Sequence, residues 1–152
     1  MLIGTILQGK GRDVVTVRPD ASVTELLATL AERNIGAVVV SEDGATIAGI
    51  VSERDVVRRL HQYGSEILDA PVSRIMTTNV RTCTPGENVE ELRKTMTTHR
   101  FRHVPVVDKN GRLVGLVSIG DVVKTAIEEL ETEKASLVGY IHGAPRTLNP
   151  TV

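Results

Sequence analysis

Hydrophobic positions along this chain follow one order of elements that occurs twice. Runs of apolar residues predict short buried strands in two sets, at 14–17, 37–40 and 47–51, and again at 80–83, 104–107 and 113–117. Apolar residues at helical spacing follow the first and the third strand of each set. The pattern predicts strand, helix, strand, strand, helix in each half of the chain, which is an α/β fold.

The two halves are copies of one sequence. Residues 14–58 align with residues 80–124 without a gap, and the matched pairs include Pro19 with Pro85, Gly49 with Gly115, Ser52 with Ser118 and Asp55 with Asp121. A short apolar lead-in precedes each copy, as Ile3-x-x-Ile6-Leu7 and as Val72-x-x-Ile75-Met76. Each half is small for a hydrophobic core of its own, so we expect the two halves to share one interior.

Local signals mark where helices and loops begin. Ser22-x-x-Glu25 is a capping box at the start of a helix, and Asn88 with Glu91 is its near equivalent in the second copy. Gly9 and Gly11 predict a loop after the first lead-in.

The most informative stretch is the junction between the third strand and the second helix of each copy. It reads Gly49-Ile50-Val51-Ser52-Glu53-Arg54-Asp55 in the first copy and Gly115-Leu116-Val117-Ser118-Ile119-Gly120-Asp121 in the second. Such a junction directs backbone N–H groups and the positive end of a helix dipole at one spot, beside a hydroxyl and a carboxylate, which suits a phosphorylated sugar. Taken singly, each Ser-x-x-Asp is better explained as a helix cap without a ligand.

The last helix is predicted to run from the second junction to about Ile141. Apolar and long side chains alternate along it at spacings of four and three, as in a two-heptad seam: Val123, Ile127, Leu130, Lys134, Leu137 and Ile141. This outer part either packs against a second subunit or folds back on its own domain. Residues 143–152 are predicted to be a loose tail.

Composition excludes several classes of function. The formal charge is −1 and only Tyr63, Phe101 and Tyr140 are aromatic, which argues against nucleic-acid partners. The single cysteine permits no internal disulfide, and with the four histidines it shows no metal-ligand spacing. We find neither a targeting signal nor a stretch of the roughly 20 apolar residues that a membrane span requires, so we expect a cytoplasmic protein with no membrane partner.

Catalytic signatures are also missing from the sequence. It contains no Gly-x-Ser-x-Gly elbow and no paired-glycine dinucleotide fingerprint, and Gly9-Lys10-Gly11 lacks the spacing of a phosphate-binding loop. We therefore predict a protein that is not an enzyme and needs no cofactor or metal.

These motifs resemble the paired CBS domains, the family named for cystathionine β-synthase. The resemblance rests on the doubled Gly-x-x-Ser-x-x-Asp, on Arg102-His103-Val104-Pro105-Val106-Val107-Asp108 and on Val72-Ser73-Arg74-Ile75-Met76-Thr77, and it covers about residues 3–125. It implies tandem βαββα repeats related by pseudo-two-fold symmetry, plus a long C-terminal helix. The division that follows is first repeat 1–62, connector 63–71, second repeat 72–125, helix extension 126–142 and tail 143–152.

The same resemblance implies two clefts between the repeats for adenine nucleotides (AMP, ADP or ATP) or related adenosyl ligands. Asp55 and Asp121, with Ser52 and Ser118, would hold the ribose. The adenine would lie against the first strand of a repeat and aliphatic neighbours, which are Val15, Thr16, Val17, Arg81, Thr82, Cys83, Ile50 and Leu116. The phosphate side would be formed by Arg54, Gly120, Arg102 and His103. Pairs in this family often form homodimers, so we expect one here.

Differences between the copies predict unequal sites. The second copy carries the basic run His99-Arg100-Phe101-Arg102-His103 where the first has Arg33-Asn34-Ile35-Gly36-Ala37, and Arg54 matches Gly120. We expect a regulatory module that binds an adenine nucleotide and passes its occupancy, through conformation or dimer packing, to an unidentified protein target. The alternatives are a scaffold with empty clefts, or a pair that binds NAD or S-adenosylmethionine.

Overall fold

The elements of each repeat follow in the predicted order. The computed structural model describes residues 1–11 and 13–142, so the predicted tail lies outside the described residues. In chain order the elements are helix α1 Ile3–Lys10, strand β1 Thr16–Val17, helix α2 Val23–Arg33, strands β2 Ala37–Val40 and β3 Gly49–Ser52, helix α3 Glu53–Tyr63, two short 3-10 helices Gly64–Asp69 and Val72–Arg74, helix α4 Val89–His99, strands β4 His103–Val107 and β5 Leu113–Ser118, and helix α5 Ile119–His142. The α/β fold with two repeats and a long C-terminal helix is confirmed.

Each repeat builds a small sheet with the same register. In the first repeat β1 pairs in parallel with β2, and β2 pairs antiparallel with β3. In the second, β4 pairs antiparallel with β5. The parallel bridge between Cys83 and Val106 corresponds to the pairing of Val17 with Val40, so both copies keep the register of their first segment.

The predicted strand at 80–83 is wrong in extent, because only Cys83 pairs there. Its backbone N–H donates to the carbonyl of Pro105 at 3.0 Å, and its own carbonyl accepts from the N–H of Val107 at 2.8 Å. Pro105 occupies the position that Val39 has in the first copy. A proline has no backbone N–H, so Pro105 cannot donate the hydrogen bond that would continue the pairing before Cys83.

The first helix of each repeat begins and ends at matching positions. Ser22 and Glu25 form the predicted capping box at the start of α2. At the start of α4 the Asn88 side chain instead accepts from the N–H of Glu90 at 2.7 Å, so the expected Asn88–Glu91 box is replaced by a shorter turn. Asn34 and Arg100 end the two helices in the left-handed conformation, with φ of 52° and 59°.

The expectation of one shared interior is wrong, because the buried apolar residues form two clusters. One cluster contains α2, β2, β3 and α3 side chains, and the other contains α4, β4, β5 and the start of α5. Each cluster is completed by the lead-in of the other repeat. Ile3 and Leu7 of α1 are buried in the second core, whereas Val72 and Ile75 are buried in the first.

This exchange of lead-ins explains the glycine of each junction motif. An added Cβ on Gly115 would lie 2.5 Å from Leu7 Cδ2, and one on Gly49 would lie 2.7 Å from Met76 Sδ. The lead-ins therefore pass directly over the two glycines. Helix α1 continues through Lys10 while it packs on the other repeat. The predicted loop is therefore wrong at Gly9, which is helical, and the loop begins only at Gly11.

Helix α5 projects away from the repeats. Val122 and Thr125 are buried, but every residue from Ile127 to Ile141 is exposed. The outer part of the helix therefore does not fold back onto its own domain within the described residues.

Candidate functional site

The first junction is a reciprocal helix cap that leaves a carboxylate facing a cleft. The N–H of Asp55 donates to Ser52 Oγ at 3.2 Å, while Asp55 Oδ2 accepts from the N–H of Ser52 at 2.8 Å and from its hydroxyl at 3.0 Å. Among the residues that the structure describes, no lysine or arginine pairs with this carboxylate.

The second junction repeats the cap but gives the carboxylate a cationic partner. Asp121 Oδ2 accepts from the N–H of Ser118 at 2.8 Å, and the N–H of Asp121 donates to Ser118 Oγ at 3.1 Å. Lys10 Nζ lies 2.6 Å from the same Oδ2 atom and also donates to the carbonyl of Leu116 at 2.8 Å. The ion pair is only partly shielded, since the two side chains keep 40% and 23% of their surface exposed.

The pKa of Asp121 reflects this contact. Burial acts to raise the pKa, but the hydrogen bond from Lys10, the bonds from Ser118 and the charge of Lys10 outweigh burial and hold the pKa below its ordinary value. Asp121 is therefore held in its charged form by Lys10.

A cleft of about 560 Å³ opens between the repeats at the first junction. We call it cleft one. Ile50, Ser52 and Asp55 line it from the first repeat, and Thr77, residues 79–81 and residues 99–103 face them from the second. It contains seven of the predicted site residues: Ser52, Asp55, Ile50, Arg81, Arg54, Arg102 and His103.

The walls of cleft one are strongly basic. Its lining includes five arginines and two histidines against the carboxylates of Glu53 and Asp55; the basic residues are Arg54, Arg58, Arg81, Arg100, Arg102, His99 and His103. On one wall the rings of His99 and Phe101 stack with their centroids 5.7 Å apart, and the Arg81 guanidinium lies 5.9 Å from the centre of the Phe101 ring. Such a wall favours an anionic ligand that also carries a flat ring.

A second cleft, of about 300 Å³, lies at the other junction. We call it cleft two. Val15, Leu116, Ser118 and His103 of the predicted set line it, together with Lys10 and Asp13. Cleft two is smaller than cleft one, and its charged lining residues Lys10 and Asp13 balance each other in formal charge.

Other predicted residues lie apart from the lining of these two clefts. They are Thr16, Val17, Thr82, Cys83, Gly120 and Asp121. Cys83 is buried in the second core, where burial, followed by the charge of Glu87, raises the pKa of its thiol to about 12. Thr16 and Val17 are engaged in the β1 ladder, and the Asp121 carboxylate is paired with Lys10.

Several lining residues were not predicted. Thr77 and Asn79 enter cleft one because the Thr77 backbone pairs with Ile50, with N–H to carbonyl distances of 2.8 and 3.0 Å. Arg58 follows one helical turn after Arg54 on α3, a spacing that the sequence displays. Lys10 had no signal of its own, since its role depends on α1 packing in the core of the other repeat.

The described residues, 1–11 and 13–142, offer no group of three or more histidine, cysteine or acidic side chains arranged to hold a metal ion. Within the same part of the chain, no helix combines the length and the apolar character that crossing a bilayer requires.

Comparison with known proteins identifies the repeats. The family model described as CBS domain matches residues 11–62 and again residues 72–128. This chain belongs to the CBS-domain family. Outside the two CBS repeats, the model leaves α1, the connector and most of α5 unmatched.

The chain resembles a curated relative and a solved structure over most of its length. The chain is 33% identical over 149 residues to the CBS domain-containing protein CBSX3, mitochondrial, of Arabidopsis thaliana, a match that covers 93% of this chain and 72% of the relative. It is 47% identical to the CBS-domain protein ATU1752 of Agrobacterium tumefaciens, with a TM-score of 0.78 over 83% of this chain and 99% of that one.

Two further solved CBS pairs contain ligands. CBSX2 in complex with AMP is 27% identical, with a TM-score of 0.70 over 84% of this chain and 96% of that one. The CBS pair of MJ0100, in complex with 5-methylthioadenosine and S-adenosyl-L-methionine, is 26% identical, with a TM-score of 0.73 over 82% and 98%. Both of these neighbours bind adenosine-containing small molecules.

Proposed function

We propose that this protein is a non-catalytic regulatory module that binds an adenine nucleotide in cleft one. AMP, ADP and ATP are the ligands that fit the proposal. Occupancy of the cleft changes how the two repeats, or two copies of the chain, pack together, and an unidentified protein target responds to that change. The proposal keeps the cytoplasmic location that the sequence predicts.

The observation that carries the proposal is the pairing of Asp55 with a basic wall across one cleft. A carboxylate accepts hydrogen bonds from both hydroxyls of a ribose, and the N-terminus of α3 offers a favourable field for a negative group. Arg81 and Arg102 approach from the opposite repeat and suit phosphate oxygens. A ligand that spans both repeats is bound best in one relative arrangement, so its binding shifts the balance between arrangements.

The basic wall also favours the proposed ligands over S-adenosylmethionine and over adenosine without a phosphate. S-adenosylmethionine carries a sulfonium cation, which five arginines in one cleft disfavour, although a related CBS pair binds it. Adenosine alone leaves the arginines without a partner. The phosphates of AMP, ADP and ATP satisfy them, and each added phosphate strengthens the attraction.

A panel of adenosyl compounds in a thermal-unfolding assay tests the proposal. A nucleotide at a hundred times its dissociation constant stabilises the native state by about 2.7 kcal/mol, which raises the melting temperature by several degrees. In Asp55→Asn the amide oxygen still accepts from the N–H of Ser52 at the helix cap, but the negative charge is lost. We expect this variant to weaken AMP binding roughly tenfold to a hundredfold. Asp121→Asn is the matched control and should leave binding in cleft one unchanged.

Absence of any shift with AMP, ADP, ATP, NAD or S-adenosylmethionine would contradict nucleotide binding and support the scaffold. A shift with S-adenosylmethionine alone would replace the nucleotide by that ligand. Equal loss of stability in the two aspartate variants, with AMP binding intact, would show that Ser-x-x-Asp acts only as a cap.

The proposed homodimer rests on the exposed part of α5. Its seam side chains Val123, Ile127, Leu130, Leu137 and Ile141 are each at least 40% exposed in one chain. The exposed outer part, residues 127–141, is about as short as helices that are only marginally stable alone in water, so a packing partner would stabilise it. A second copy of the chain carries the same apolar seam on its own α5, and the two seams cover each other in the proposed dimer.

Sedimentation of the full chain tests the dimer. Replacing both Ile127 and Leu130 with glutamate should convert a dimer to a monomer, because like charges would face each other in the seam. Thr132→Glu adds the same charge away from the seam and should leave the dimer intact. A wild-type chain that sediments as a monomer at micromolar concentration would contradict the proposal.

A further inference from the structure

Lys10 is a charged side chain that the proposed function leaves unused. Its ammonium donates both to Asp121 and to the carbonyl of Leu116 at the second junction. At the matching place in the first junction, the carbonyl of Ile50 accepts from the backbone N–H of Thr77 at 2.8 Å instead. A side-chain cation therefore lies at one junction where the other has a neutral backbone amide.

The fold holds Lys10 in this place. It is the last residue of α1, whose Ile3 and Leu7 side chains are buried in the second core. The backbone N–H groups of Ile3 and Gly4 donate to carbonyls of the segment before α4, both at 2.9 Å. Because buried side chains and backbone hydrogen bonds fix the backbone of α1, only the lysine side chain needs to be ordered to form the ion pair.

The ion pair competes directly with a ribose. An ammonium group has three donors and no acceptor, so at Asp121 Oδ2 it occupies an acceptor site that a sugar hydroxyl would otherwise use. A nucleotide entering cleft two must first displace Lys10 from Asp121 Oδ2. Asp55 has no competing cation among the described residues, so a nucleotide in cleft one meets no such competition.

We infer that Lys10 is the residue that makes the two clefts unequal: it closes cleft two to the ribose, so that an adenine nucleotide binds first at Asp55. This inference rests on the proposed function, since it concerns the same ligand class. Lys10 lies outside both Ser-x-x-Asp motifs, and the inference assigns to it the choice of the cleft that binds the nucleotide first.

The experiment measures AMP binding to cleft two after binding in cleft one has been weakened. In an Asp55→Asn background, calorimetry should detect only weak binding. Adding Lys10→Met, which keeps the length of the side chain and removes its charge, should tighten AMP binding about tenfold. A further Asp121→Asn change should abolish the gain. Lys109→Met, in the exposed turn before β5, removes the same charge far from the cleft and should have no effect.

A second readout does not depend on any nucleotide. The carboxyl resonance of Asp121, followed against pH, should show its pKa returning toward the ordinary value in Lys10→Met, and Lys10→Arg should keep the pKa low. An Asp121 titration that Lys10→Met leaves unchanged would overturn the inference, because the ion pair would then not exist in solution.

The outcomes separate this inference from the proposed function. If AMP binds at Asp55 but Lys10→Met gains nothing at cleft two, the inference is overturned and the proposed function stands. If AMP fails to bind at Asp55 yet binds at Asp121 once Lys10 is replaced, Lys10 does close cleft two, but the proposed site and the order of binding are both overturned. If neither form binds AMP, both are overturned.

Discussion

The two junctions of this CBS pair share a motif and a backbone geometry but differ in their neighbours. Ser52 with Asp55 and Ser118 with Asp121 form the same reciprocal cap, with matching carboxylate-to-backbone distances of 2.8 Å. Around the first lies a wide cleft lined by five arginines, whereas the second is narrow and its carboxylate is paired with Lys10. The Ser-x-x-Asp motif therefore determines the helix cap, and the residues around each cap determine what the neighbouring cleft can bind.

The source of the difference is the exchange of lead-ins between the repeats. Each junction is covered by a segment that belongs to the other repeat, and the two segments have different conformations. Residues Ile3 to Lys10 form a helix that delivers a lysine, while the segment after Met76 is extended and pairs through its backbone with Ile50. A duplicated motif can therefore serve two purposes when the segments that cover it diverge.

The largest expected effect on this comparison comes from the junction glycines. In Gly49→Ala the new methyl group would meet Met76 and also the backbone carbonyl of Thr77, 2.8 Å away, which its hydrogen bond to Ile50 holds in place. We expect a loss of about 2 kcal/mol in the free energy of unfolding. Gly115→Ala meets only the tip of the Leu7 side chain and should cost about 1 kcal/mol.

Urea unfolding of both variants checks the order. Gly86→Ala is the control, because an added Cβ there meets nothing within 4 Å. If Gly115→Ala proves the more damaging of the two, the lead-ins do not cover the junctions as described.

The sequence predicted most of the fold because its strongest signals are local and occur twice. Strand β2 was predicted with its observed bounds, and α5 was predicted to within one residue of its end. The prediction of a strand at 80–83 was wrong because Pro105, which is distant in the sequence, has no backbone N–H to pair with that segment. A prediction from local pattern does not include such a contact.

The site was predicted less completely, for the same reason. The basic run at 99–103 and the motif carboxylates could be read from the residues themselves. Lys10 could not, because nothing in Gly9-Lys10-Gly11 indicates that α1 packs on the other repeat and carries the ammonium to Asp121. The exchange of lead-ins is a property of the tertiary fold, and the comparison of copies within the sequence shows only that the lead-ins differ.

A smaller effect is expected from neighbouring arginines on α3. Arg58 lines cleft one, whereas Arg59 donates to Gln62 Oε1 at 3.2 Å and is not among the lining residues. We expect Arg58→Ala to weaken ATP binding roughly threefold to fivefold, because one exposed charge pair contributes at most about 1 kcal/mol. Arg59→Ala should leave the affinity unchanged.

Calorimetry at two salt concentrations measures this effect. The loss caused by Arg58→Ala should shrink at high salt, since screening weakens interactions between exposed charges. An equal loss for the two arginine variants would mean that the basic wall attracts the ligand only through its total charge, without a specific contact from α3.

The smallest expected effect concerns His103, the one predicted site residue that lines both clefts described above. Burial lowers its pKa, and the charges of Lys10 and Arg102 act in the same direction, while Asp121 and Glu53 oppose them. The native state therefore favours the neutral ring. As the pH falls below the ordinary value of about 6.5, the unfolded chain takes up a proton first, so the free energy of unfolding decreases.

His103→Gln should remove this part of the pH dependence between neutral pH and the lowered pKa, as measured by urea unfolding at a series of pH values. His61→Gln, which replaces an exposed ring on α3, is the control. Saturating AMP should raise the pKa of His103, followed by NMR of its ring, because a phosphate in cleft one favours the charged imidazole. A pKa that AMP leaves unmoved would place the phosphate away from His103 and restrict the basic site to the arginines.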